Sequence, residues 1–161
     1  MNICLVLGGL SLGLWLANVN IPYYGSLIIK LDQVKDQPML SRLGPDVRIS
    51  FNSDSFDILE SPVYFDLRSM PWFSKALVYL TFRSKGDDLE GVAPQVGPDW
   101  QYHLQPPVTV IDLENDWHKA VFEFDLRKVY QEKNIRRFLV STIHQPGGSL
   151  EVSDLTIILQ Q

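Results

Sequence analysis

Apolar side chains recur at every second position through most of the chain that follows Pro22. Alternation with this period is typical of β-strands that bury one face and expose the other. The segments that show it are 27–31, 47–51, 63–67, 78–82, 108–113, 122–126, 138–142 and 149–159. Turn-forming pairs such as Gly44-Pro45 and Gly97-Pro98 separate them. The pattern therefore predicts an all-β fold in which two antiparallel sheets pack as a sandwich.

Two segments depart from simple alternation. In the C-terminal segment, 149–159, Leu150 and Val152 lie at even-numbered positions, whereas Leu155 and Ile157 lie at odd-numbered positions. A β-bulge near 153–154 would turn both sets toward the same side, so we expect a bulged final strand. The stretch 126–133 instead fits a short helix, because its apolar residues have helical spacing and an aspartate precedes it as a possible N-cap.

The spacing of the closing strands resembles a known architecture. A strand led by Trp117 is followed by the segment IRRFLVS at 135–141, by a Gly-Gly turn at 147–148, and by LEVSDLTIIL at 150–159. Over residues 116–159 this order resembles the galactose-binding-like jelly rolls, to which many carbohydrate-binding modules belong. The resemblance implies a jelly-roll-like β-sandwich. Members of this architecture bind glycans, bind proteins or serve only structure, so the fold alone does not choose a function.

The chain opens with an uncharged stretch that ends at Lys30. Residues 3–17 are apolar or small apart from one serine, and extension to Tyr23 and Tyr24 reaches the length of a membrane span with aromatic residues at its end. We therefore expect residues 1–24 to form an anchor, with one transmembrane helix over 3–24, and residues 25–161 to form the sandwich. A signal peptide and a strand of the soluble core are the alternatives, although no basic residue precedes the apolar run as a signal peptide requires.

The orientation of this anchor depends on flanking basic residues, which favour the cytoplasmic side. Here Lys30 and Lys35 follow the apolar run and none precedes it. Either the sandwich is cytoplasmic or a basic leader is encoded upstream of Met1, and we favour the second. The protein is therefore expected to be a single-pass membrane protein whose folded domain is extracytoplasmic.

Composition and charge narrow the classes of partner. The 161 residues carry a net charge of −5 without a cluster of basic side chains, which argues against nucleic acid. The only cysteine, Cys4, lies in the apolar opening, which leaves the rest of the chain without disulfides or cysteine-bound zinc. The three histidines are widely spaced, and the acidic stretch Asp87–Glu90 lacks the spacing of a calcium loop. No metal or other cofactor is expected.

Candidate ligand residues follow from the chemistry of sugar recognition, in which an aromatic ring stacks on a pyranose and polar side chains bind its hydroxyls. The set with this composition is Asp99, Trp100, Gln101, Tyr102 and His103. If the segment is a strand, its two aromatic rings share one face and its three polar side chains share the other. Packing of both rings in the core or over a sheet edge is the alternative.

Two other tryptophans, Trp72 and Trp117, lie outside this set. Trp72 follows Pro71 and could form a loop platform for a ligand, or could pack beneath its turn. Trp117 begins a strand, and we expect it in the core. The pairs Asp112 with Glu114 and Asp57 with Glu60 could serve glycoside hydrolysis only if each pair faces one cleft.

The sequence carries no signature of a nucleophilic, phosphate-binding or dinucleotide-binding site. It therefore predicts a membrane-anchored module without catalytic activity, which binds an envelope glycan or an envelope protein. A structural or assembly subunit of a membrane-associated complex is the alternative, and a glycoside hydrolase on the same fold is the third hypothesis.

Overall fold

The computed structural model describes residues 6–13, 25–32 and 36–161, and its folded part is an antiparallel β-sandwich. The predicted all-β class is confirmed. Besides the helical residues 6–13, the described residues contain ten strands and one short 3₁₀ helix at Asp46–Arg48. The strands are β1 (Ser26–Lys30), β2 (Ile49–Phe51), β3 (Phe56–Ile58), β4 (Val63–Arg68), β5 (Lys75–Lys85), β6 (Asp88–Pro94), β7 (Thr109–Asp112), β8 (His118–Asp125), β9 (Ile135–Ile143) and β10 (Ser149–Gln160).

The strands form two sheets of unequal size. The large sheet has the order β2-β3-β10-β5-β8-β7. Strand β1 pairs with the C-terminal half of β10, and β3 pairs with its N-terminal half. The small sheet has the order β4-β9-β6. Every named pair is antiparallel. The two sheets bury their alternating apolar side chains against each other, as the period of the sequence requires.

Aromatic contacts tie the two sheets together at the centre of the core. The Phe138 ring of β9 stacks on Phe65 of β4 at 5.2 Å between centroids, within the small sheet. The same ring meets Phe124 of β8, in the large sheet, edge to face at 5.3 Å. All three side chains are at most 1% exposed. Phe138 is therefore a direct packing contact between the sheets.

The predicted bulge in the last strand is confirmed, because the register of β10 against β5 shifts between Val152 and Asp154. The shift allows Val152 and Leu155 both to enter the core. Two strands were missed. β3 is only three residues long, and β6 contains Gly91, which lies beside its own register shift against β9. A short strand and a bulged one both lack the repeated alternation by which strands are recognised.

The predicted helix over 126–133 is wrong, since the chain forms turns and bends there. Its backbone amides bond outside the segment: the Leu126 N–H donates to the Ser74 carbonyl and the Tyr130 N–H donates to the Gln95 carbonyl. These bonds to other elements replace the i−4 bonds of a helix. The apolar spacing arose because Leu126 and Val129 both enter the core.

Most of the predicted membrane span lies outside the described residues, namely residues 3–5 and 14–24. Its described part, residues 6–13, is helical and exposed. Among the described residues, no helix has both the length and the apolar character that a membrane crossing requires.

The buried carboxylate of Glu151 on β10 makes the stability of the fold depend on pH. Burial alone would raise the pKa of Glu151, but hydrogen bonds from Arg83, Ser55 and Lys85 outweigh it and hold the pKa below its ordinary value. A lowered pKa stabilises the fold fully above the unfolded value of about 4.3, and this contribution is lost as pH falls through the folded-state pKa. We expect the free energy of unfolding of Glu151→Gln to fall less between neutral and acidic pH than that of the wild type. Denaturant titrations at several pH values measure this, with Asp99→Asn as an exposed control that follows the wild type.

Candidate functional site

A hairpin beside the small sheet carries the cluster singled out in the sequence. The chain leaves β6, turns at residues 97–100 and returns antiparallel to β6. The Val96 N–H donates to the Gln101 carbonyl at 2.8 Å, and the His103 N–H donates to the Pro94 carbonyl at 3.2 Å. Asp99 and Trp100 therefore lie in the turn, and only the residues from Gln101 onward run along β6. The segment 99–103 is therefore not a strand over its whole length, because its first two residues form the turn.

Trp100 occupies an unusual backbone conformation for a bulky residue. Its φ angle is +57°, in the left-handed region that favours glycine, and 62% of the residue is exposed. A non-glycine residue held there costs on the order of 1–3 kcal/mol, and such positions are concentrated at functional sites. The turn thereby places a large apolar ring at the surface.

The indole of Trp100 lies over the guanidinium of Arg137 on β9, whose central carbon is 5.0 Å from the ring centroid. Arg137 is fixed by its register partner Asp66 on β4: its Nε donates to Oδ1 at 2.6 Å and its Nη2 donates to Oδ2 at 2.8 Å. These bonds raise the pKa of Arg137. The bidentate ion pair holds the guanidinium plane in place, so the tryptophan above it has a defined support.

Tyr102 extends the aromatic surface toward β4. Its ring centroid is 6.0 Å from that of Tyr64. Burial raises the pKa of the Tyr102 hydroxyl, which is inaccessible and has no hydrogen-bond partner among the described residues. We name Tyr64, Asp66, Trp100, Tyr102 and Arg137 together the Trp100 face.

Two cavities border this tryptophan, and Trp100 and Arg137 line both. One measures about 360 Å³, and its other lining residues include Gln95, Tyr130, Glu132 and Lys133. The second measures about 470 Å³, and its other lining residues include Ser41, Arg42, Tyr64 and Asp66. The arrangement is therefore an exposed ring at the border of two depressions, each of which contains charged and apolar groups.

The remaining candidates are dispersed. Asp99 is exposed in the turn, and the Gln101 side chain packs beside Gly97. His103 lines a separate cavity with Phe124 and Asp125. Trp72 is 37% exposed in the turn between β4 and β5, where it contacts Phe73, and it lines neither cavity beside Trp100.

Trp117 does not lie in the core as predicted. It is half-buried on the outer side of the large sheet, where its ring lies 4.9 Å from the guanidinium carbon of Arg83. Its strand begins one residue later, at His118, which faces Phe82 of β5. The side chain immediately before that pair therefore points away from the interior.

The sequence reasoning missed Tyr64, Asp66 and Arg137. All three occupy outward positions of strands that were predicted correctly, and the opposite charges of Asp66 and Arg137 are compatible with a cross-strand pair. The opposite charges were the one signal in the sequence that could have identified these residues. They indicate a pair only when the register of β4 against β9 is known.

Three of the four carboxylates that could serve hydrolysis each pair with a different basic side chain. Asp112 bonds to the Nδ1 atom of His118 at 2.8 Å, Asp57 accepts from Lys85 at 3.0 Å, and Glu60 lies 3.9 Å from Arg48. Among the described residues, no group of three or more His, Cys, Asp or Glu side chains could hold a metal ion.

The fold is a β-sandwich of two antiparallel sheets. Among solved structures it is similar to the xylan-binding module CBM15, with a TM-score of 0.57 and 16% identity over 85% of this chain and 99% of that one. The resemblance seen in residues 116–159 is thus confirmed for the fold and extends over most of the chain. No family model matches the sequence, and neither does any curated protein.

Proposed function

We propose that the protein is a carbohydrate-binding module without catalytic activity and that the Trp100 face is its site. One observation carries the proposal: an exposed indole is held in a strained turn, over a fixed guanidinium, and lines two cavities that also contain charged side chains. A strained backbone that displays an apolar ring at the surface is not explained by packing. The likeness of the fold to a xylan-binding module supports the same proposal.

The chemistry of the Trp100 face fits a neutral sugar chain. The apolar side of a pyranose would stack on the exposed side of Trp100, opposite Arg137. Polar groups in the two cavities, including Asp66, Gln95 and Glu132, would bind sugar hydroxyls. Because the ring borders two depressions of about 360 and 470 Å³, the site suits a chain of several sugars better than a single sugar.

Native gel electrophoresis in the presence of soluble polysaccharides tests this proposal. Xylan is the first ligand to try because of the structural likeness, with mannan, mixed-linkage β-glucan, hydroxyethylcellulose and arabinogalactan beside it. We expect at least one of these neutral polymers to retard the protein relative to a non-binding marker. Unchanged mobility with all of them would contradict the proposal.

We also propose that residues 3–24 anchor the chain in a membrane and that the sandwich faces outside the cytoplasm. The length of uncharged sequence before Lys30 supports this proposal. An epitope placed after Gln161 tests both parts. We expect it to sediment with membranes until detergent is added and to be cleaved by protease in intact spheroplasts. Recovery in the soluble fraction would contradict the anchor, and protection from protease would contradict the orientation.

A second candidate function, assembly through a sheet edge, is favoured by one observation. Strand β7 ends the large sheet and pairs only with β8 within the described residues. Four apolar side chains on and beside it are exposed by 44–69%: Val108, Val110, Ile111 and Leu113. An unprotected apolar edge can pair with the same strand of a second copy.

Sedimentation equilibrium tests this second candidate. If β7 mediates assembly, the wild type forms concentration-dependent dimers and Ile111→Lys is monomeric, because a lysine on the edge opposes strand addition. The exposed control Val47→Lys, on the 3₁₀ turn, would leave the dimer intact. A wild type that is monomeric at every concentration would contradict self-association through β7.

A further inference from the structure

A groove crosses the outer side of the large sheet, on the opposite side of the sandwich from the Trp100 face. One wall is the loop between β2 and β3, residues 52–55, and the other is the loop between β7 and β8, residues 113–117. Its floor includes Thr81 of β5 and Glu151 of β10. The groove measures about 700 Å³, and among the described residues Trp117 is the one aromatic residue that lines it. We name it the Trp117 groove.

The Trp117 groove repeats the construction of the Trp100 face. The Trp117 ring lies over the guanidinium of Arg83 at 4.9 Å, as Trp100 lies over Arg137 at 5.0 Å. Arg83 is fixed by Glu151, its register partner on the neighbouring strand, which accepts from its Nε at 3.0 Å. Each sheet therefore carries a tryptophan on an arginine that is held by a cross-strand carboxylate.

The carboxylate beneath the Trp117 groove is itself firmly held. Glu151 is 7% exposed, and its Oε1 accepts from the Ser55 hydroxyl at 2.9 Å. Its Oε2 also lies 3.3 Å from the Nζ atom of Lys85. A buried charge with three partners is rigid, so the arginine and the indole above it have fixed positions. Rigid placement of the aromatic ring lowers the entropy cost of binding a ligand.

The two sites differ in charge. Asp54 and Glu114 stand exposed on opposite walls of the Trp117 groove. The cations nearest to its floor, Arg83 and Lys85, are both paired with Glu151. The cavities of the Trp100 face include Arg42, Lys133 and Arg137. Acidic walls disfavour a ligand that carries carboxylates, whereas carboxylate oxygens accept well from sugar hydroxyls.

We propose that the Trp117 groove is a second carbohydrate-binding site, which accepts neutral sugar chains and rejects acidic ones. The protein then holds one chain on each side of the sandwich and can link two chains. Each site contains its own ring, cation and polar groups, so this proposal does not depend on binding at the Trp100 face.

Retardation of full-length protein by the neutral polysaccharides named above separates the two sites. We expect Trp100→Gly to retain part of the retardation, and the further substitution Trp117→Ala to abolish the remainder. If Trp100→Gly alone abolishes retardation, the second site is contradicted while the first stands. If Trp117→Ala alone abolishes it, the Trp100 face is contradicted and the groove stands. No retardation of the wild type contradicts both.

A change on the groove walls provides a test that leaves the buried floor intact. In Trp100→Gly protein, we expect a glucuronate-substituted xylan to bind about tenfold more weakly than unsubstituted xylo-oligosaccharides, because of like-charge repulsion. Exchange of both wall carboxylates, Asp54→Asn with Glu114→Gln, is expected to remove most of that difference. Equal binding of acidic and neutral chains before the exchange would overturn the selectivity. Circular dichroism spectra and melting curves show whether each variant is folded.

Discussion

Replacement of Trp100 by glycine is expected to weaken binding at the Trp100 face by about 30-fold without destabilising the fold. Loss of a central aromatic anchor costs about 2 kcal/mol of binding free energy, which corresponds to that factor. Glycine adopts the φ angle of +57° without strain, so the substitution removes the ring and relieves the backbone together. Titration calorimetry measures the affinity, in protein that also carries Trp117→Ala so that only this face is titrated.

The stability of Trp100→Gly separates a functional role of the ring from a structural one. Its contact with Arg137 is an exposed cation–π interaction worth about 0.5–1 kcal/mol, which the relief of strain offsets. We therefore expect a melting temperature equal to or above that of the wild type. The matched control is Trp72→Ala, whose ring lines neither cavity and whose affinity is expected to stay within about twofold. Unchanged affinity in Trp100→Gly would contradict the proposed site.

Several elements of the fold followed directly from local pattern. Segments such as 63–67 and 122–126 alternate because one side of each strand packs in the core, and the structure places strands there. The parity change in the last segment also predicted the bulge before Asp154. The helix predicted over 126–133 is wrong because the apolar residues of this segment enter the core from a turn, whose amides bond to other elements. Helical spacing without helical hydrogen bonds cannot be recognised from sequence alone.

The candidate site was predictable only where it is local in sequence. Trp100 and Tyr102 are near neighbours, so composition alone singled them out. Asp66 and Arg137 are 71 positions apart and meet because β4 and β9 pair in one register. Arg83 and Glu151 meet for the same reason on β5 and β10. A shift of one residue would turn every side chain of a strand to the other face, so these pairs depend on the tertiary fold.

The largest expected loss of stability comes from Phe138→Ala, at about 4 kcal/mol. Phe138 is fully buried and touches aromatic rings of both sheets, Phe65 and Phe124. Truncation removes the transfer free energy of the ring, leaves a cavity, and removes two aromatic contacts worth about 0.5–1.5 kcal/mol each, which are partly included in that total. Since the free energy of unfolding of a domain is about 5–15 kcal/mol, the variant is expected to retain only part of it.

Denaturant unfolding measures this loss as a lower midpoint, and an unchanged m-value shows that the transition remains two-state. The matched control is Phe51→Ala. Phe51 also contacts a buried ring, Phe56 at 6.4 Å, but it is 44% exposed at the edge of the large sheet. Because water already reaches that ring, its loss is expected to cost less than about 1.5 kcal/mol. Equal losses in the two variants would contradict the role of Phe138 as the contact that joins the sheets, since burial in the centre of the core would then add nothing.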